Sequence, residues 1–448
     1  MKQILWFRRD LRVEDNAILS NAINEVLPIF IFDKNILDIL PSNDKRVSFI
    51  YQSVQKLKKE LQNIGLDLQV FYGYPEEIFK NLLKSEHDFD EVLCSCDFDS
   101  YAVQRDKKIE QLLPMKRFYD SFLVHPLDTL KSDNTAYKVF TPFYKNLMPL
   151  WDCNSINEYL PSSNLKLYSY DFEEILTLKS MGFEEQTLPS FLMKSAKELI
   201  KEFSFKLEKY EESRDFFALD GTSNLATHLR FGLISPKQVF NEIKKHPHNK
   251  LFIRQLFWRE FYNCILYHFP NSQFENFNGM TMQWSENIDD FQAWCDGETG
   301  VPIIDAAMKH LNTTGLMHNR LRMVVASFLT KNLFLPWSWG EKYFALKLLD
   351  YEASSNIGSW QWGASTGADS APYFRVFNPY SQSEKFDKEG VFIKSVLTEL
   401  EDIDAKLLHK ENGSQVNLFV EYPKSIVDIK LSRQLSIEKF KKAKNESS

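Results

Sequence analysis

Residues 315–379 read GLMHNRLRMVVASFLTKNLFLPWSWGEKYFALKLLDYEASSNIGSWQWGASTGADSAPYFRVFNP. Polar, cationic and aromatic side chains are crowded there within a pattern that otherwise predicts an apolar helical core. Buried arginine and asparagine side chains are costly unless they are paired, so this concentration favours a binding site. The residue types suit a flat and polar ligand.

The first 130 residues show short apolar runs that alternate with amphipathic stretches. Residues 47–64 keep a helical spacing of apolar side chains, and Gly65 follows as a C-terminal cap. The apolar runs predict five buried strands, at residues 4–7, 26–32, 68–72, 92–94 and 117–119. Strands that alternate with helices predict an α/β domain with a doubly wound parallel sheet.

The rest of the chain has a different pattern. Only Gly65 and Gly73 occur in the first 130 residues, so no Gly-x-Gly-x-x-Gly turn brings a pyrophosphate to a helix there. Four prolines and weak periodicity at 131–195 predict a connector with short helices. Beyond it the spacing is helical, which predicts a mostly α-helical C-terminal domain. The predicted division is therefore 1–130, 131–195 and 196–448.

Composition narrows the class of protein. The net charge of −7 over 448 residues argues against a generic binder of polyanions, although a local basic patch is compatible with it. No run of about 18 apolar residues predicts a membrane span. Five scattered cysteines predict neither a disulfide framework nor a metal site, which favours a reducing, cytoplasmic location.

Motifs along the whole chain carry a resemblance to a known family. They are residues 6–12 (WFRRDLR) with Asp15 and Asn16 after them, 137–143 (YKVFTPF), 221–223 (GTS), 258–261 (WREF), the region 315–379, and 383–387 (SEKFD). Together they resemble the photolyase and cryptochrome family, most of all the class I photolyases that repair cyclobutane pyrimidine dimers. The resemblance implies reduced FAD in the helical domain and UV-damaged DNA as the partner. We expect a monomer without an obligate protein partner.

The resemblance implies a set of flavin-binding residues. Arg322 and Asp350 are expected to pair beside the ring, and Asn356 to lie opposite its reactive nitrogen. An aspartate at that position would disfavour an anionic reduced flavin, whereas an amide adds no charge. The segment at 354–358 is also loop-like, so a plain turn residue is the alternative explanation for Asn356. The implied set is Tyr210, Thr222, Ser223, Asn224, Leu225, Ala226, Phe252, Arg322, Asp350, Tyr351, Glu352 and Asn356.

Three of these positions depart from the family pattern. Asn224 replaces a commonly basic residue, Ala226 a serine and Glu352 an aspartate. Backbone contacts to the cofactor are compatible with all three. The departures therefore concern affinity more than the presence of the site.

Seven of the nine tryptophans lie between Trp258 and Trp362. Filling a helical core is the ordinary explanation for each of them. By resemblance, Trp360, Trp337 and Trp284 form a chain that passes an electron from the surface to the flavin. These three indoles and Asn356 are the predicted catalytic residues.

The resemblance also implies how a lesion is held. Trp258 and Trp362 would form aromatic walls, with Asn319 and Met323 against the dimer. Extruding a damaged base pair costs a few kcal/mol, and stacking on aromatic side chains returns roughly 1 to 3 kcal/mol per base. The residues predicted to face DNA are Arg214, Arg259, Arg320, Gln382 and Lys385.

Two alternatives remain beside dimer repair, and a third motif match is disfavoured. Gln255 stands where class I enzymes usually have glutamate, which favours a (6-4) photoproduct photolyase, but Asn319 and Met323 follow the dimer-type pattern. A cryptochrome-like photoreceptor is the second alternative, although only 58 residues follow Gly390. Residues 363–367 (GASTG) match a hydrolase nucleophile elbow, which requires a core strand before it and a helix after it. Residues 357–362 make a poor central strand and Pro372 limits any helix that follows, so the sequence argues against this interpretation.

The antenna chromophore is the feature that the resemblance leaves open. Family members with a folate antenna often have an Asn-Glu pair where this chain has Tyr101 and Ala102. A folate, a deazaflavin, FMN or no antenna are all compatible with the sequence.

Overall fold

The computed structural model describes residues 1–84, 88–152, 156–415 and 421–446, so Cys153 lies outside the described residues. The chain forms two compact units. The first comprises residues 1–136, 141–205 and 223–267, and the second comprises 137–140, 206–222 and 268–448.

A parallel sheet organises the first unit. Its strand order is β3-β2-β1-β4-β5, and a short β6 pairs with β2. Ile4 on β1 lies between Leu27 on β2 and Val92 on β4, and all three side chains are buried. The strands are β1 (Lys2–Phe7), β2 (Glu25–Asp33), β3 (Gln69–Gly73), β4 (Glu91–Ser95), β5 (Met115–Phe118) and β6 (Lys166–Leu167).

The predicted doubly wound sheet is confirmed. The fifth strand starts at Met115, two residues earlier than predicted, because Met115 already pairs with Val92 on β4. The predicted helix after β2 runs from Lys45 to Asn63, and Gly65 follows it with a φ of +80°. Such a φ favours glycine and explains why the helix ends there.

Helices complete the first unit. In the described part of 131–195, α6 is the longer helix, and short 3₁₀ turns occur at Lys179–Met181 and Ser190–Met193. The helices of this unit up to residue 152 are α1 (Ala17–Asn21), α2 (Lys34–Leu37), α3 (Lys45–Asn63), α4 (Pro75–Lys84), α5 (Ser100–Glu110) and α6 (Phe140–Asp152, whose first residue belongs to the second unit). The later ones are α7 (Ala196–Ser204), α9 (Ala226–Phe231), α10 (Pro236–Lys244) and α11 (Lys250–His268, whose last residue belongs to the second unit).

Specific polar contacts attach α9 and α11 to the sheet part of the first unit. The backbone N–H of Leu11 donates to Phe231 O at 3.1 Å. The buried carboxylate of Glu260 on α11 accepts the backbone N–H groups of Leu123 and Val124 at 2.9 and 3.2 Å. The helices α9 and α11, although they follow residue 220 in the chain, therefore belong to the same compact unit as the sheet.

We predict that Gly232→Ala destabilises the first unit strongly. A Cβ there would meet the Arg9 carbonyl oxygen and lie 2.6 Å from its carbon, and φ is +66°. Neither backbone can move freely, so we expect a loss of about 3 kcal/mol or more in the free energy of unfolding. Urea unfolding measures it.

Gly65→Ala is the matched control for this prediction. Gly65 has a similar φ of +80°, but no atom lies within 4 Å of the added Cβ. The expected loss is only about 1 kcal/mol, from backbone strain alone. Equal losses in the two variants would show that the contact with Arg9 is not tight.

The second unit is mostly helical, as predicted. The helices α13, α14, α15 and α16 supply almost half of the buried residues of its apolar core, which also includes Trp294 from α12. A π-helix at Phe328–Asn332 continues α14. The helices are α8 (Tyr210–Ser213), α12 (Ile288–Asp296), α13 (Pro302–Thr314), α14 (Asn319–Ser327), α15 (Trp337–Lys347), α16 (Ala353–Ala364), α17 (Pro379–Phe386), α18 (Val391–Val396), α19 (Ala405–Leu408) and α20 (Ile429–Glu446).

One local interpretation of the sequence is wrong, and the disfavoured hydrolase match fails as expected. Residues 354–358 are helical within α16 rather than a loop, because the buried face of α16 packs against α14 and α15 and outweighs the weak helix propensity of serine and asparagine. The hydrolase elbow at 363–367 follows a helix rather than a strand, and Ser365 only caps α16 with a φ of +62°. The hydrolase alternative therefore fails on geometry.

Within the described ranges, none of the helices combines the length and the apolar character that a membrane crossing needs.

Candidate functional site

Arg322 and Asp350 form the expected ion pair. The Arg322 guanidinium Nη2 lies 2.9 and 2.8 Å from the two carboxylate oxygens of Asp350, and Nε donates to Met317 O at 2.8 Å. The Asp350 side chain is only 9% exposed. A charged pair with both partners held in this way presents a fixed, oriented cation on α14.

Asn356 is oriented by a residue that sequence reasoning missed. Its Nδ2 donates to the side-chain Oε1 and the backbone O of Glu341 on α15, at 3.0 and 3.2 Å. Tyr351 also donates its hydroxyl to Oε1 at 3.2 Å. Because Nδ2 faces Glu341, the carbonyl Oδ1 of Asn356 is directed away from it and is available as an acceptor.

Burial raises the pKa of the Glu341 carboxyl above its ordinary value, although the donors from Asn356 and Tyr351 act in the opposite direction. Nothing in the sequence marks this glutamate, because it lies fifteen positions before Asn356 and meets it only where α15 packs on α16.

The first turn of α16 offers further polar groups. Within the described residues, Ser354 Oγ is buried and has no hydrogen-bond partner, and no side chain caps the helix at Glu352. The α14 helix with Arg322 packs against α16. An orphan hydroxyl, an oriented amide carbonyl and a paired guanidinium on neighbouring helices fit the edge of the flat isoalloxazine ring that the resemblance implies.

The remaining predicted flavin residues are divided between the two units. In the second unit, Tyr210 is buried under the Arg214 guanidinium, which lies 5.5 Å from the ring centroid, and Thr222 is half-buried. In the first unit, Phe252 packs against Phe203 with ring centroids 4.7 Å apart. Ser223 Oγ accepts the backbone N–H of Leu225 at 3.4 Å.

The structure explains only some of the three departures from the family pattern. Asn224 has a φ of +56°, in a region that asparagine tolerates better than most residues. Ala226 is the first residue of α9. Glu352 is the N-cap residue of α16, and nothing in the structure explains its replacement of aspartate.

The three tryptophans of the predicted electron path share one apolar cluster in the second unit. Trp360 is 2% exposed and Trp337 is 4% exposed, whereas Trp284 is half-buried. Exposure therefore increases in the order in which the path is expected to approach the surface. Trp294, which the sequence did not single out, lies 6.0 Å from Trp360 between ring centroids.

The predicted lesion-binding residues also occur in both units. In the second, Asn319 and Met323 lie one turn apart on α14, with Nδ2 4.0 Å from Sδ, and Trp362 is half-buried on α16. In the first, Trp258 on α11 lies 5.7 Å from the Tyr262 ring.

Gln255, also on α11, donates Nε2 to Leu251 O at 3.1 Å. That bond engages a donor of Gln255 within its own helix. The residue differs from glutamate in having this donor.

Several residues predicted to face DNA have partners inside the protein. Arg320 pairs with Asp215 at 2.7 Å, and Arg259 donates to Ser121 O at 2.6 Å with its guanidinium 4.1 Å from the Phe122 ring. Arg214 is half-buried and lies 3.8 Å from the Asp215 carboxylate. Gln382 is half-buried, and Lys385 is exposed. DNA contact by all five stays a prediction.

We predict that His318 makes stability depend on pH. Its Nδ1 accepts the backbone N–H of Arg320 at 3.1 Å and caps α14. Burial lowers the pKa of His318 to about 4, the Arg214 backbone and the Asp215 carboxylate oppose this shift, and Arg322 and Arg320 reinforce it. Because the folded-state pKa lies below the unfolded one, the free energy of unfolding falls as the pH drops from about 6.5 to about 4. The fall is at most about 3 kcal/mol, and smaller because the ring is partly solvated.

Urea unfolding across this pH range tests the prediction. His318→Asn keeps a side-chain acceptor at the helix start but does not titrate. Its stability should therefore change less than that of the wild type between pH 6.5 and 4. Parallel curves for the two proteins would refute the role of His318.

Comparisons with known proteins identify the family to which the chain belongs. Residues 3–160 match the family model described as DNA photolyase, and residues 252–442 match the FAD binding domain of DNA photolyase. The chain is 34% identical to a Salmonella typhimurium protein named deoxyribodipyrimidine photo-lyase, over 98% of both chains.

Two solved structures are similar over nearly the full length. A class III photolyase from Agrobacterium tumefaciens aligns with a TM-score of 0.86 at 31% identity, covering 99% of this chain and 98% of that one. An archaeal photolyase from Sulfolobus tokodaii, solved with two FAD molecules, aligns with a TM-score of 0.85 at 31% identity, covering 99% and 100%. This chain therefore belongs to the DNA photolyase family.

Proposed function

We propose that this chain is a light-driven deoxyribodipyrimidine photo-lyase, which splits cyclobutane pyrimidine dimers in DNA. The observation that carries the proposal is the neutral amide of Asn356, oriented by Glu341 on the helix next to the Arg322–Asp350 pair. That set suits an electron-rich flavin, because it provides an acceptor and a paired cation without placing an unpaired negative charge beside the ring.

The residues that would hold FAD follow from this arrangement. Arg322, Asp350 and Asn356 would fix the ring, with Ser354 as a further donor. Tyr210, Thr222, Ser223, Asn224, Leu225, Ala226, Phe252, Tyr351 and Glu352 would hold the rest of the cofactor. When bound in its reduced form, FAD supplies an electron on absorbing near-UV or blue light.

The tryptophans would keep the cofactor reduced. In this scheme Trp360 donates an electron first. Trp337 then reduces the oxidised Trp360, and Trp284, the most exposed of the three, reduces the oxidised Trp337. Burial of Trp360 and Trp337 in the apolar core excludes water from the inner part of this path.

The substrate residues would act by positioning. Asn319 and Met323 on α14 and Trp362 on α16 offer an amide, a thioether and an indole to an everted dimer. Trp258 and Gln255 would add to them from α11. Arg214, Arg259, Arg320, Gln382 and Lys385 are proposed to contact DNA.

Three further assignments, on the roles of the domains, the oligomeric state and the location, accompany this proposal. Residues 1–130 would be the antenna domain, 131–195 a connector, and 196–448 the FAD- and DNA-binding domain. We also propose that the protein acts as a monomer. A cytoplasmic location stays a prediction from cysteine usage.

A comparison of two lesions tests the proposed function. Holoprotein with chemically reduced FAD is illuminated with one oligonucleotide that contains a thymine dimer and another that contains a (6-4) photoproduct. We expect restored thymines in the first oligonucleotide only. Repair of the second alone would favour the alternative that Gln255 suggests, and repair of neither would favour a photoreceptor.

A further inference from the structure

The indole of Trp337 has a specific hydrogen-bond partner. Its Nε1–H donates to Asn276 Oδ1 at 2.8 Å, and the indole is 4% exposed. Asn276 lies in the irregular segment between α11 and α12, outside every motif of the sequence.

The orientation of the Asn276 amide is fixed by its second bond. Nδ2 donates to the backbone O of Met280 at 2.6 Å. Turning the amide over would place an N–H group against the indole N–H and a carbonyl against Met280 O, so both bonds would be lost. Oδ1 is therefore the atom that faces Trp337.

The segment that carries Asn276 is attached to the helix of Trp360. Gln361, the next residue in α16, is buried and donates Nε2 to Ser272 O at 2.6 Å and to Glu275 O at 3.1 Å. Its Oε1 accepts the backbone N–H of Phe277 at 2.9 Å. These three bonds enclose Asn276 on both sides and hold it in place against Trp337.

We propose that Asn276 is a positioning residue that makes Trp337 easier to oxidise and retains its proton. This proposal rests on the function proposed above. An oxidised indole is a cation whose N–H is a much stronger donor, so a fixed carbonyl acceptor stabilises the oxidised form more than the neutral one. A hydrogen bond to a charged group shifts an equilibrium by about tenfold to about a hundredfold.

The proposed step transfers one electron between two indoles and transfers no proton. One electron passes from Trp337 to oxidised Trp360, whose own electron has gone to light-excited, oxidised FAD. Trp337 is oxidised by one electron and Trp360 is reduced, and the proton stays on Nε1 of Trp337. An amide oxygen is too weak a base to take that proton, whereas a carboxylate at the same place would accept it.

Asn276 is half-buried, whereas the indole that it bonds is only 4% exposed. Asn276 lines a cavity of about 350 Å³, whose other lining residues are His268, Phe269, Pro270, Asn271, Ser272, Glu275 and Phe277. Water that enters this cavity meets the amide rather than the buried indole. Holding water away from Nε1 removes the other base that could take the proton.

Two substitutions test the proposal. Asn276→Leu removes the acceptor while keeping a side chain of similar volume, and Asn276→Asp replaces the acceptor with a base. In holoprotein with oxidised FAD and an external reductant, transient absorption measures the yield and the protonation state of the oxidised tryptophan. We expect Asn276→Leu to lower the yield of light-driven FAD reduction by about tenfold, and Asn276→Asp to convert the cation into the deprotonated radical.

An independent readout detects the contact without light. In protein labelled with ¹⁵N-tryptophan, the indole N–H signal assigned through Trp337→Phe should shift in Asn276→Leu. Asn271→Leu is the matched control, because it makes the same change five residues earlier in the same segment, at an exposed asparagine. It should leave the Trp337 signal unmoved and the yield within about twofold of the wild type.

The outcomes separate this proposal from the proposed function. If Trp337→Phe slows FAD reduction but Asn276→Leu does not, the role of Asn276 is refuted while the electron path stands. If Trp337→Phe has no effect, both the path and the role of Asn276 are refuted. Failure of chemically reduced wild-type protein to repair dimers would instead refute the proposed function.

Discussion

Replacing Trp360 with phenylalanine should slow light-driven reduction of bound FAD by at least about a hundredfold, which corresponds to about 3 kcal/mol of added barrier. Phenylalanine is much harder to oxidise than tryptophan, and Trp360 is the innermost indole of the proposed path. The indole packs directly against Gly340 and lies 5.0 Å from the Phe344 ring, so the smaller ring leaves a limited void. Flash absorption of the oxidised holoprotein with an external reductant measures the rate.

Trp339→Phe is the control for this experiment. Trp339 is half-buried on α15, next but one to Trp337, and packs on Phe291 at 5.1 Å between ring centroids. The same chemical change there should alter FAD reduction by less than about threefold. If Trp360→Phe reduces FAD at the wild-type rate, Trp360 is not part of the electron path.

Loss of the Arg322 charge should nearly abolish FAD binding. Arg322→Met keeps most of the side-chain length but leaves the buried Asp350 carboxylate without its partner. Breaking such a pair costs about 3 to 5 kcal/mol, which weakens FAD binding by more than about a hundredfold if the cofactor must meet the unpaired charge. Fluorescence titration of apoprotein with FAD measures the affinity.

Two further variants separate the effect of the lost Arg322 charge on FAD binding from its effect on folding stability. Arg433→Met removes an exposed cation on α20 and should leave FAD affinity unchanged. Arg322→Met combined with Asp350→Asn should recover the free energy of unfolding without recovering FAD affinity. Wild-type affinity in Arg322→Met would mean that this pair does not belong to the cofactor site.

The sheet was predictable because its signal is local. Each buried strand is a short apolar run, and Gly65 marks the end of α3 through its backbone conformation. The helical character of the second unit was equally local, since apolar residues recur at helical spacing through α14.

The details of the site were not predictable, because they depend on contacts between distant parts of the chain. Asn356 lies in a helix although its neighbours favour a turn, since packing against α14 and α15 outweighs propensity. Glu341 orients Asn356 only because two helices meet. The partners of Arg259 and Arg320 inside their own units are likewise tertiary contacts that no spacing rule reveals.

We propose above all that absorbed light supplies the energy of the reaction, while the residues of the site position the flavin and the dimer. The most direct test is the rate at which a dimer-containing oligonucleotide is restored by holoprotein with chemically reduced FAD, measured at several light intensities and in darkness. We predict no restoration in darkness and a rate that rises in proportion to intensity. An equal rate in darkness, or no restoration at any intensity while reduced FAD is bound, would contradict the claim.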